Sequence, residues 1–237
     1  MRCITLGACL SVSLWVVAPA MALAQVRPAS FDQASELRVV GGEPAAGERL
    51  PVIVFLAATN GTAEGAFQWL SAAVPFARYI AVLPAGQPTT ANYLPRFGDY
   101  VTWMEDRLAE DLRALRARHP VDPERIYLAG FSLGGDTSWA LLARHPDVYR
   151  GAVVLGARSS ARVRGRGVQV MRERGVRVAF AIGSEDQDVR RRGIARTHEA
   201  MLAARVPAQL RYYPGAHTLP SDGSVLDALF RFVMAPP

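Results

Sequence analysis

The 237-residue chain contains no lysine; every one of its 27 Lys+Arg positions is an arginine. Its formal net charge of +6 is therefore carried by guanidinium groups, clustered at Arg158, Arg162, Arg164, Arg166, Arg172, Arg174 and Arg177 and again at Arg190–Arg192. Such a surface attracts anionic lipid, polysaccharide or an acidic substrate. The complete lack of lysine favours a plainer reading, a codon bias that turned solvated lysines into arginines. No aromatics interleave with the basic run, which argues against a nucleic-acid partner. Cysteine is almost as scarce, with only Cys3 and Cys9. Both fall in a segment with a positive start at Met1-Arg2, an apolar stretch from Leu10 to Val17 and a small-x-small site at Ala22-Leu23-Ala24. This is the pattern of a signal peptide spanning residues 1–24. Reading Leu6-Gly7-Ala8-Cys9 as a lipoprotein site instead would leave almost no hydrophobic segment ahead of the cysteine. Cleavage after Ala24 predicts an exported chain, periplasmic or secreted, with no disulfide, no thiolate nucleophile and no cysteine metal site. No later apolar run is long enough to cross a bilayer, so no integral membrane segment is expected after cleavage. Residues 25–237 are expected to form one domain with a substantial core.

Strand and helix signals alternate along that remainder. Leu37–Val40, Pro51–Ala57, Tyr79–Leu83, Arg125–Ala129, Ala152–Leu155, Val176–Ile182 and Ala208–Tyr213 read as strands, and most are apolar enough to be buried on both faces. Helices are expected over Thr62–Val74, around Val101, Met104, Leu108, Leu112 and Leu115, over Gly135–His145, over Ala195–Arg205 and over Val225–Val233. Repeated βα units of this kind predict an α/β fold with a doubly wound, mostly parallel sheet. Only a short stretch separates Leu155 from Val176, room for one small helix and not for a large cap domain, so an open site is expected.

Gly130-Phe131-Ser132-Leu133-Gly134 lies where the Arg125–Ala129 strand must turn into the next helix. Three fixed residues at about 7 % usage each occur by chance in roughly one chain of this length in ten. The strand-turn-helix context makes Ser132 a candidate nucleophile, lifted above the sheet edge by the turn. A serine hydroxyl needs a base to take its proton and an acid to orient that base. In doubly wound hydrolases these follow in the order Ser, Asp or Glu, His, each after a strand. The Val176–Ile182 strand runs into Gly183-Ser184-Glu185-Asp186-Gln187-Asp188, and the Ala208–Tyr213 strand runs into Pro214-Gly215-Ala216-His217. His217 is the candidate base, because His119 and His145 precede prolines at helix ends and His198 falls within a helix. Asp186 has the best spacing for the acid, with Glu185 and Asp188 close enough to take its place. The oxyanion would be met by the backbone N–H of Leu133 and by a second from the Ala58-Thr59-Asn60-Gly61 loop, with Thr59 the expected donor. Tyr93 and Leu94 are candidates for a groove lining.

With these residues in place, the chain resembles the α/β-hydrolase superfamily, in particular polyhydroxybutyrate-depolymerase-like esterases and the phospholipase/carboxylesterase group. The likeness runs through Val121–Tyr127, Gly130–Gly135, His145-Pro146-Asp147, Gly151–Val154, Gly183–Asp186 and Tyr213–His217. It implies a serine carboxylic-ester hydrolase with Ser132, Asp186 and His217 as its triad, acting on a small-molecule or polymeric ester. No metal or organic cofactor is implied. Where those families carry His-Gly after the first buried strand, this chain has Ala57-Ala58. The missing glycine bears on the geometry of the oxyanion loop. It also keeps open a catalytically silent binding protein on the same fold. A serine peptidase or a thioesterase would use the same three residues.

Overall fold

A computed structural model describes residues 31–93 and 96–236 of the chain. The expected signal segment, both cysteines and Leu94 lie outside the described residues. The described elements run β1 (Glu36–Val40), β2 (Leu50–Leu56), α1 (Ala63–Leu70), β3 (Tyr79–Leu83), α2 (Thr90–Tyr93), α3 (Phe97–Arg118), β4 (Val121–Phe131), α4 (Leu133–Arg144), β5 (Gly151–Leu155), α5 (Arg166–Glu173), β6 (Arg177–Gly183), α6 (Asp188–Ala203), β7 (Ala208–Tyr213) and α7 (Gly223–Val233). The strands form one seven-stranded sheet in the order β1-β3-β2-β4-β5-β6-β7. Only β1 runs antiparallel, pairing with β3; every other pairing is parallel.

Alternation along the strands assigns each side chain to one of two cores. Val52, Val54 and Leu56 of β2 face the layer of α3, α4, α5 and α6, where Val101, Met104, Leu108, Leu112 and Leu115 form the buried stripe expected of α3. Ile53 and Phe55 face the opposite layer, with Leu70 of α1 and Leu226, Leu229 and Phe230 of α7. Burial on both faces explains why these strands read as continuous apolar runs. No large cap follows β5; the stretch before β6 holds the single small helix α5.

Two helices differ from the sequence expectation, while the strand expected at Leu37–Val40 is present as β1 and pairs with β3, Glu36 opposite Leu83. The helix expected at Ala195–Arg205 begins at Asp188. Its first turns carry no apolar periodicity and are held by pairing of Asp188 with Arg191 and Arg192. The helix expected over Thr62–Val74 is α1, capped by Thr62 Oγ1 accepting from the Gly65 N–H at 3.1 Å, followed by a 3₁₀ turn at Ser71–Ala73.

Candidate active site

Ser132 stands between β4 and α4 with φ 56° and ψ −117°. That is left-handed backbone for a residue with a Cβ, a strain of about 1–3 kcal/mol. Close packing on both sides holds it there. A Cβ at Gly130 would be driven into the backbone of Gly134, and a Cβ at Gly134 into the Leu56 carbonyl. The Ser132 N–H donates to Leu155 O of β5 at 2.8 Å, tying the elbow to the neighbouring strand.

The elbow, the loop after β6 and the loop after β7 meet at the carboxyl end of the sheet. Ser132 Oγ lies 2.8 Å from His217 Nε2, and His217 Nδ1 lies 2.7 Å from Asp186 Oδ2. Asp186 is 4 % exposed. Its second oxygen accepts the Gln187 N–H at 2.6 Å, with Arg190 Nη1 at 3.4 Å. The buried carboxylate is thus met on both oxygens, as burial of a charge requires. Glu185 points into solvent and Asp188 is occupied by Arg191 and Arg192, so neither competes for His217.

Packing beyond these three side chains fixes the imidazole. The Phe131 ring lies 4.8 Å from the His217 ring at an interplanar angle of 30°. Tyr213 donates its hydroxyl to Thr218 O at 2.6 Å, closing the loop that carries His217. Burial, with the Asp186 charge adding to it, pushes the Tyr213 phenol up to about 12, so it remains a donor throughout the neutral range. Phe131, Gln187, Arg190 and Tyr213 are given no role at the site by the sequence alone. Their roles depend on which loops meet, and no local pattern reports that.

The other histidines are elsewhere. His145 caps α4 and lies 3.1 Å from Glu105 of α3, His119 caps α3, and His198 of α6 lies edge-on to Phe180.

The loop after β2 carries Ala57-Ala58. Within it, positive φ falls at Asn60 (59°) and not at Ala58. Asparagine tolerates left-handed backbone, so the loop turns there without a glycine. The Asn60 N–H donates to Pro88 O at 2.7 Å and the Gly61 N–H to Ala58 O at 3.0 Å. The Thr59 and Leu133 amides have no partner among the described residues. Thr59 Oγ1 lies 2.7 Å from the Tyr93 hydroxyl. Beside it, Tyr93, Phe97, Leu133, Asp136, Arg158 and Ser160 line a depression of about 160 Å³. Among the described residues, no three His, Cys, Asp or Glu side chains gather as metal ligands, and no helix is long and apolar enough to cross a membrane.

Solved structures place this arrangement among known folds. Esterase PE8 superposes with a TM-score of 0.61 at 16 % identity, over 85 % of this chain and 100 % of its own. A Bacillus cereus carboxylesterase gives 0.60 at 14 % identity, over 84 % and 93 %. The Staphylococcus aureus fluorophosphonate-binding serine hydrolase F gives 0.57 at 14 % identity, over 83 % and 91 %. At these identities the likeness speaks for the α/β-hydrolase fold. No curated protein matches the sequence. The model of the dienelactone hydrolase family matches residues 39–219, from β1 through the elbow and the Asp186 loop to just beyond His217. The chain belongs to the dienelactone hydrolase family.

Proposed function

We propose that this protein is a serine carboxylic-ester hydrolase acting through an acyl-Ser132 intermediate. The observation that carries the reading is the unbroken hydrogen-bonded line from Ser132 Oγ through His217 to a buried Asp186. It stands on a strained elbow beside the Leu133 amide, which has no partner among the described residues. The esterases and serine hydrolases among its structural neighbours support the same chemistry.

Ser132 Oγ attacks the ester carbonyl carbon as His217 Nε2 takes the hydroxyl proton. Asp186 Oδ2 accepts from Nδ1–H, which fixes the tautomer and balances the imidazolium. The carbonyl oxygen becomes an oxyanion held by the Leu133 and Thr59 N–H groups, the former at the positive end of α4. Collapse breaks the C–O bond to the alcohol, which leaves with the proton from His217. Water, deprotonated by His217, then attacks the acyl-serine and releases the acid.

The reading is tested by treating the protein and its Ser132→Ala variant with a fluorophosphonate probe and assaying 4-nitrophenyl esters of increasing chain length. Labelling and turnover are expected in the parent alone, with kcat lowered on the order of 10⁴-fold or more in the variant. Folded parent protein that neither labels nor turns over would remove the proposal and leave the silent binding protein. Export belongs to the same proposal, resting on the segment before Gln25. Amino-terminal sequencing of the protein recovered outside the cytoplasm is expected to begin at Gln25.

A further inference from the structure

At the end of the sheet away from Ser132, where β4 and β5 begin, lies a second depression of about 560 Å³. That volume falls within the range of ordinary ligand pockets. Tyr127 of β4 forms part of its wall, and about 16 Å of strand separates Tyr127 from Ser132.

The apolar walls are tied in place. Phe76 lies 6.0 Å from the Tyr127 ring at an interplanar angle of 37°, and the Arg125 guanidinium lies over the Phe76 ring at 5.8 Å. Met234, Ala235 and Pro236 supply the rest. The Met234 N–H donates to Phe230 O at 2.9 Å, and Arg177 donates to Phe232 O at 3.5 Å and to Pro236 O at 3.4 Å.

Two donors on this wall have nothing to donate to. Tyr127 is 2 % exposed, and its hydroxyl has no hydrogen-bond partner among the described residues. Its oxygen is not sealed in the interior, as the unpartnered atoms of Ser159 and Gln209 are, so it meets the depression that Tyr127 lines. A largely buried hydroxyl without a partner costs free energy. Burial raises the phenol above its ordinary value, opposed by the charges of Arg150 and Arg125, so the group stays a donor through the neutral range. Arg150 also lines the depression, and its guanidinium has no acceptor among the described residues. The two acids at the rim are already engaged. Asp122 accepts the Glu124 N–H at 2.9 Å on one oxygen and Arg125 Nε at 2.6 Å on the other, and Glu124 pairs with Arg174 at 2.9 Å.

We infer that this depression is a binding site for a small aromatic carboxylate, its oxygens taken by Arg150 and the Tyr127 hydroxyl and its ring set against Phe76 and Met234. Two free donors, one of them charged, call for a charged acceptor, and the tied apolar wall calls for a flat apolar body. The site shares no lining residue with the Ser132 site, and it does not depend on the esterase reading.

The test is a binding titration of the whole chain with 2-naphthoate, followed by broadening of the ligand's proton resonances. Beside it stand 2-naphthalenemethanol, which lacks the charge, and acetate, which lacks the ring. 2-Naphthoate is expected to bind with a Kd of about 1 mM, what a ligand of this size yields at ordinary efficiency. Both comparison compounds should bind at least about tenfold more weakly. Tyr127→Phe removes no bond that the chain itself makes, so Tm should hold while the Kd for 2-naphthoate rises about tenfold. Arg150→Gln should raise it about as much, and Arg150→Lys less, since lysine keeps the charge without the fork. Arg158→Gln, beside the elbow, is the charge control and should leave the Kd as in the parent. Absence of binding at several millimolar 2-naphthoate would overturn the inference. So would equal affinity for the neutral alcohol, or binding that either Tyr127→Phe or Arg150→Gln leaves unchanged. Because no arm reads turnover, failure here and failure of the esterase reading are separate results.

Discussion

Asp136 is a carboxylate at odds with its surroundings. Burial raises its carboxyl above the ordinary range, opposed by the Ser159 and Arg158 N–H donors and by nearby arginine charge. A raised carboxyl means that the folded chain holds a proton that the unfolded chain has already lost. Its effect on stability is therefore unfavourable above the folded value and relieved as pH falls through the window between the folded and ordinary values. Asp136→Asn keeps an oxygen for the two backbone donors and removes the ionisation. The variant should gain in Tm relative to the parent at pH 7 and lose that gain at pH 4. Equal Tm differences at the two pH values would show that burial of this charge costs nothing. None of this was legible in the sequence, where Asp136 read only as an early helix residue. That Ser132, Asp186 and His217 come together was legible because Ser132 sits in a Gly-x-Ser-x-Gly turn and the other two lie on loops that follow later strands in order.

At the scale of elements, the loop after β2 and the loop leading into α2 act as a pair. Gln87 Nε2 donates to Asn60 O at 2.5 Å, the Asn60 N–H to Pro88 O, and Thr59 meets Tyr93. These bonds tie down the loop that carries the Thr59 amide. Tyr93→Phe keeps the ring and loses the bond. It should lower kcat about five- to tenfold with KM little changed, the worth of one partly buried hydrogen bond felt in the transition state. Thr59→Val should do the same, and the double variant should fall no further, because both remove one interaction. Additive losses in steady-state kinetics would deny the coupling. The strands were readable as uniform apolar runs and α3 by its stripe. The four-residue α2 is too short to show a period, and the polar start of α6 hid behind its arginines. The pairing of β1 with β3 follows from sheet order, which local residues do not encode.

For the molecule as a whole, the two cores share the strands between them. Leu108 of α3 and Phe230 of α7 are both fully buried, on opposite faces of the sheet. Leu108→Ala should cost about 2–5 kcal/mol and Phe230→Ala about 3–5 kcal/mol. Each should shift a single denaturant transition, in which far-UV dichroism and esterase activity disappear together. Two separated transitions in either variant would mean that the layers melt independently. Ser132 and His217 are 85 residues apart in the chain, and 31 separate Asp186 from His217. During synthesis the elbow therefore emerges long before His217 exists. Every parallel pairing from β4 to β7 has to form before the two are held 2.8 Å apart. Such non-local pairings close slowly. Recovery of turnover on refolding is consequently expected to report the last docking event, since a nascent or partly folded chain carries Ser132 without His217 beside it.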